Sequence, residues 1–193
     1  MNYNYIDIHT HNPREGILSP RMAGIHPWHA EQGKELPDFT ECDIIGETGL
    51  DYAVAVDKAV QMRLFREHLA AAVKLDKPVV LHVVKSFENV ILTLRDYPTL
   101  RGVVFHGFVG SVAQARRCFE HGYYLSFGAR SLHSPRTREV IAVTPASLLF
   151  VESDDSLMPT IEQIYTEVAQ IRGESIVNLA KQIEQNHEKL IRQ

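Results

Sequence analysis

Seven short runs of apolar residues punctuate this chain, and six of them finish on or beside a residue able to bind a metal ion. The runs lie at 5–9, 22–26, 43–47, 78–83, 102–106, 123–127 and 148–152. Pro78-Val79-Val80-Leu81 and Leu148-Leu149-Phe150-Val151 are apolar at consecutive positions. A strand reads this way when both faces are buried, as in a parallel sheet covered by helices. Between the runs lie amphipathic stretches. Residues 57–75 carry Val60, Leu64, Leu69 and Val73 close to helical spacing. Shorter helices are expected at 86–96, 111–121 and 135–143, with Ser86 and Ser111 as N-caps and Gly122 as a stop. Residues 160–171 and 174–191 form the last two, parted by Gly173. Alternating strand and helix predicts an α/β architecture with right-handed crossovers. About seven strands favour a (β/α) barrel, incomplete in part, over an open sheet.

The polar residues concentrate at the C-terminal ends of these runs, the rim on which such barrels build active sites. His9 and His11 stand two apart, so a strand projects both to one face. Glu47 ends an apolar run between Gly46 and Gly49; its two oxygens can bridge two cations. His82 and His106 follow Leu81 and Phe105 at equivalent strand ends. Asp154 follows the last run, and the same alternation puts Glu152 on its face, where it can orient a ligand. Imidazoles and carboxylates arriving from separate strands make a divalent-metal site, and such a site activates water for hydrolysis.

Around these ligands, His26 is a candidate contact to substrate or metal, and Lys85 a candidate anion contact. Arg130 and Arg136 are further candidates for phosphate. Trp28 reads equally as a stacking platform or a packed aromatic. His29 reads as peripheral, and His133 as an uninformative loop residue. His68, His121 and His187 fall on helices and are expected at the surface.

Composition narrows the classes. The 193 residues suit one domain over 1–193. The net charge of −4 argues against broad nucleic-acid binding through bulk charge; bound metals would still attract a phosphate. Cys42 and Cys118 lack zinc-knuckle spacing and read as buried or partly buried thiols of a reducing compartment. The N-terminus has no basic region followed by a long apolar stretch, and no run reaches the roughly 18 apolar residues of a membrane helix. The expected location is the cytoplasm.

The ordered series Asp7-Ile8-His9-Thr10-His11, Gly24-Ile25-His26-Pro27, Gly46-Glu47-Thr48-Gly49-Leu50-Asp51-Tyr52, Pro78-Val79-Val80-Leu81-His82, His106-Gly107-Phe108-Val109-Gly110 and Glu152-Ser153-Asp154 resembles the TatD family of metal-dependent deoxyribonucleases. The resemblance implies a distorted TIM-like barrel with two divalent ions. In it His9, His11, Glu47 and Asp154 would hold one ion, and Glu47, His82 and His106 the other. Three departures stand out. Only twelve residues separate His11 from Gly24, so a strand-helix unit after the first strand is expected to be missing. Val84 stands where the family carries an arginine, with Lys85 next. Asp155-Ser156-Leu157 lacks the family's proline.

The expected activity is metal-dependent hydrolysis of phosphodiesters, most of all DNA attacked from an end. Asp154 would orient the metal-bound water and accept its proton, with Glu47 holding the metals. Magnesium, manganese, zinc and nickel all suit the donors. Two rival readings are a hydrolase of small esters, amides or lactones, and a non-catalytic metal-binding protein. DNA or a small phosphodiester is the expected partner, with no membrane; oligomeric state is left open.

Overall fold

Six of the seven apolar runs become strands of one sheet. The computed structural model describes residues 4–192, and its contacts divide into two units, 21–105 and 1–20 with 106–193.

In the first unit, β1 (Met22–Ala23), β2 (Ile44–Asp51), β3 (Val79–Val84) and β4 (Val103–Phe105) pair in that order, all parallel. Ile44, Ile45, Leu50, Val79, Val80, Leu81 and Val104 are wholly buried, as consecutive apolar runs covered on both faces require. Helix α1 (Lys58–Leu75) links β2 to β3, and α2 (Phe87–Leu94) links β3 to β4. Asp57 caps α1 by accepting from the backbone N–H groups of Ala59 and Val60. Ser86 precedes α2 without a side-chain capping bond; its hydroxyl donates instead to the carbonyl of Leu50, 2.6 Å away.

Two sequence expectations are corrected here. Strand β2 does not stop at Glu47 but runs on to Asp51. Ile45 pairs with Val79 and Thr48 with Leu81, so Gly46 and Glu47 together oppose Val80. This is a β-bulge, which bends a strand and re-aims its side chains. A Cβ on Gly46 would lie 2.8 Å from the carbonyl oxygen of Val80, so the bulge needs glycine there. The second correction is His68. Far from the surface, it is wholly buried on α1. Its Nδ1 donates to the Leu64 carbonyl (2.8 Å), and its Nε2 accepts from the N–H of Ile25 (3.0 Å).

In the second unit, β5 (Tyr124–Phe127) and β6 (Leu149–Val151) pair in parallel. Helices α3 (Val112–Glu120), α4 (Ala129–His133), α5 (Pro135–Val143), α6 (Ile161–Arg172) and α7 (Ile176–Arg192) complete it. Ser111 and Gln114 form a reciprocal capping box at α3. The expected strand at 5–9 is no ladder. Its backbone bonds go to different partners: Asp7 donates to Leu18, and Ile8 to Val151. What remains is a pair of isolated bridges, Ile6 with Leu18 and Thr10 with Asp154. The buried Tyr165 hydroxyl pins Ile6 by accepting from its N–H and donating to its carbonyl. Among the described residues, no helix precedes Met22, in keeping with the short stretch after His11. Cys42 and Cys118 are both buried and free. Among the described residues no helix is long and apolar enough to cross a membrane.

Candidate metal centre and active site

Within residues 21–105, His26, Glu47 and His82 bring ligand atoms within 4.8 Å of one another. His82 lies on β3 opposite Gly49 of β2. A Cβ at Gly49 would fall 2.1 Å from the His82 carbonyl oxygen, and its φ is 141°. Only glycine lets the two strands approach this closely. The His82 ring is held from both sides: Nδ1 is 2.6 Å from Glu47 Oε1, and Nε2 is 3.2 Å from Asp51 Oδ2. Two imidazoles and a carboxylate gathered this closely form a donor set that fits a divalent ion. His26 Nε2 lies 3.3 Å from Glu47 Oε1 and 3.2 Å from His82 Nδ1, while its Nδ1 accepts from the N–H of Trp28.

Asp51 is the residue that the sequence reading passed over. It is buried, and it receives hydrogen bonds from the Trp28 indole (2.7 Å) and the N–H of Ala53 (2.8 Å). Burial alone would raise its carboxyl, but the bonds from Trp28, Ala53 and His82 together hold it below the usual range. Gln61 of α1 fixes the backbone from behind, accepting from Asp51 N–H and donating to Asp51 C=O. The signal was its place within Gly46-Glu47-Thr48-Gly49-Leu50-Asp51, a buried strand whose second carboxylate also needs a partner.

The second unit holds two overlapping groups, His9–His11–Asp154 and His106–Glu152–Asp154. Asp154 Oδ1 faces His9 Nε2 at 3.5 Å and His11 Nε2 at 3.6 Å. The backbone clamps this arrangement: Asp154 N–H donates to His9 C=O, and His11 N–H to Asp154 C=O. Asp154 has a φ of 53°, a left-handed conformation that costs a non-glycine residue energy and clusters at functional positions. Asp7 braces the same segment, accepting from the N–H and hydroxyl of Ser153 at 3.0 and 2.6 Å. Burial pushes the Asp7 carboxyl up to about 6, against the lowering pull of those bonds. Glu152 is wholly buried, with Oε1 3.2 Å from His106 Nδ1. A carboxylate behind an imidazole fixes the ring and leaves the other nitrogen for a metal. Glu152 Oε2 is buried without a hydrogen-bond partner among the described residues, a second sign that this donor set fits a cation.

The remaining candidates are not among these ligand groups. Lys85 is exposed just past β3, with a φ of 51°. Arg130 and Arg136 are exposed on α4 and α5. His29 is exposed with Nδ1 against Gln32, and His121 and His133 are exposed too. Trp28, in the 3-10 turn Pro27–Gln32, is 54% exposed.

The family model described as TatD related DNase matches residues 19–192. The 3'-5' ssDNA/RNA exonuclease TatD of Erwinia amylovora is 30% identical over 191 residues, covering 83% of this chain and 73% of that protein. The metal-dependent hydrolase YabD of Bacillus subtilis is 32% identical over 125 residues, or 63% of this chain. That match takes in 49% of YabD, so the chain spans about half the length of that relative. The crystal structure of YjjV, a TatD homologue from Escherichia coli, matches with a TM-score of 0.79 at 20% identity, over 97% of this chain and 98% of that one. A hydrolase of Entamoeba histolytica matches with the same TM-score, over 92% of this chain and 76% of its own. These likenesses show the fold to be an α/β barrel of the TIM type.

Proposed function

The chain belongs to the TatD family of metal-dependent hydrolases, and we propose that it is a phosphodiesterase that shortens DNA from an end, using two divalent ions. The observation that carries this reading is the doubly held His82 ring, between Glu47 on one nitrogen and Asp51 on the other. Such an arrangement serves metal binding better than it serves packing. Glu47 and His82 hold one ion, with His26 beside them. His9, His11 and Asp154 hold the other, with His106 braced by Glu152. Ions bound there would supply Lewis acidity and lower the pKa of a bound water.

The protein's own groups do the rest. Asp154, fixed by its clamp to the His9–His11 segment, orients the attacking water and accepts its proton. Glu47 keeps His82 aligned and supplies negative charge to the ion. His26 and Lys85 bind the substrate: the His26 ring lies beside Glu47, and the Lys85 ammonium meets a phosphate oxygen. The nuclease names carried by relatives support DNA over a small ester or lactone.

Digestion of single-stranded DNA labelled at either end tests this, with magnesium or manganese, with chelator, and with Asp154→Asn. The expected result is metal-dependent shortening that the variant loses, with the labelled end giving the direction. No cleavage by metal-loaded wild type, together with turnover of an ester or lactone panel, would replace the reading with a small-molecule hydrolase.

A further inference from the structure

We infer that Trp28 is a nucleobase-stacking platform beside the His26–Glu47–His82 cluster; this rests on the nuclease reading above. Large aromatic side chains are mostly well buried, yet Trp28 is 54% exposed. It is not loose. Its indole N–H donates to Asp51 Oδ2 at 2.7 Å, and its backbone N–H donates to His26 Nδ1 at 3.2 Å. Its contacts with His26 and His82 are edge-to-face, with ring centroids 4.8 and 6.2 Å away. The ring is therefore anchored at its polar edge to a buried carboxylate and oriented before any ligand arrives. An anchored aromatic loses little side-chain freedom on binding. It also offers a flat apolar surface that accepts any base, because every base has a π-face.

The anchor also gives the platform a second consequence. The carboxylate that holds Trp28 is the one that holds His82 Nε2. A base stacked on Trp28 is thus registered against a metal-ligand candidate through one shared group, Asp51. This suits an enzyme that must set a phosphodiester at its metals without reading sequence.

The test is direct, because Trp28 is the one tryptophan of the chain, so its fluorescence reports this position alone. The wild-type protein in magnesium is titrated with a phosphorothioate-linked ten-residue thymidine strand, and with an abasic strand of the same length and linkage. The expected result is saturable quenching by the thymidine strand, with the abasic strand binding roughly tenfold more weakly. Trp28→Leu should raise KM for single-stranded DNA about tenfold with little change in kcat, and Trp28→Phe, which keeps a ring but loses the indole anchor, should restore only part of that loss. Equal quenching by both strands, or cleavage without quenching, would overturn the platform alone. Failure of the nuclease reading shows separately, as no nucleotide release by the metal-loaded protein. Base-dependent quenching without release would keep the platform, whereas absence of both would overturn the two together.

Discussion

The two ligand groups are built by different means. His82 and Glu47 stand on adjacent strands of a continuous ladder, where the partner is set by register and the spacing by Gly46 and Gly49. His9, His11 and Asp154 stand on segments joined by isolated bridges, and their geometry comes from individual clamps. Exposure varies most within the clamped group, where the His9 side chain is 5% exposed and that of His11 58%. A ladder spreads its strain over many backbone bonds, whereas clamps concentrate it, as the left-handed backbone of Asp154 illustrates. The ladder group should therefore fail through packing changes, and the clamped group through loss of single hydrogen bonds.

The largest effects should separate the two. Asp154→Asn keeps the shape of the clamp but removes the base, so kcat should fall by about 10²–10⁴-fold with an unchanged melting temperature; activity near wild type would remove Asp154 from the chemistry. Gly49→Ala should act the other way, because its Cβ would collide with the His82 carbonyl at 2.1 Å. We expect roughly 3 kcal/mol or more of lost stability, read by denaturant unfolding. A mild loss would show that the ladder yields more easily than its register suggests.

Smaller changes sharpen the contrast. Asp51→Asn should leave the fold intact and weaken metal binding by about 10–100-fold, measured by competition with a chromogenic chelator. Unaltered affinity would make Asp51 a packing residue. The mildest effect is one of pH. Burial holds the His68 imidazole below its ordinary value of 6.5. As pH falls below 6.5, the unfolded chain takes up a proton that the fold refuses, so stability declines from there until the buried ring itself protonates. In His68→Gln, which keeps both a donor and an acceptor, that share of the acid loss should vanish from the pH dependence of unfolding. An unchanged slope would assign the acid sensitivity elsewhere.

Much of this was legible in the chain because apolar runs ending in polar residues record both a buried strand and what it presents. Residues 78–83 and 102–106 became β3 and β4 with small shifts at their ends. β2 was read short because Gly46-Glu47-Thr48-Gly49 breaks the apolar run, while the bulge that absorbs it leaves no periodic trace. The first strand was read as a ladder because apolar alternation does not reveal that backbone partners differ from residue to residue. His68 was misplaced for a related reason. The buried face of α1 comprises Gln61, Leu64, Phe65, His68, Leu69 and Ala72. Two of its positions carry polar groups whose partners, Asp51 and Ile25, lie elsewhere in the chain. Asp51 itself was hidden in plain sight, since sequence alternation cannot say that two carboxylates of one strand meet opposite sides of the same histidine.

The most direct test of the central claim is metal stoichiometry. Wild-type protein, Glu47→Ala and Asp154→Asn would be equilibrated with manganese or zinc, desalted, and analysed by elemental mass spectrometry against protein concentration. The account predicts two ions per chain in the wild type and at least one fewer in Glu47→Ala, with wild-type circular dichroism throughout. A metal-free wild type, or a Glu47→Ala protein that keeps both ions, would contradict it.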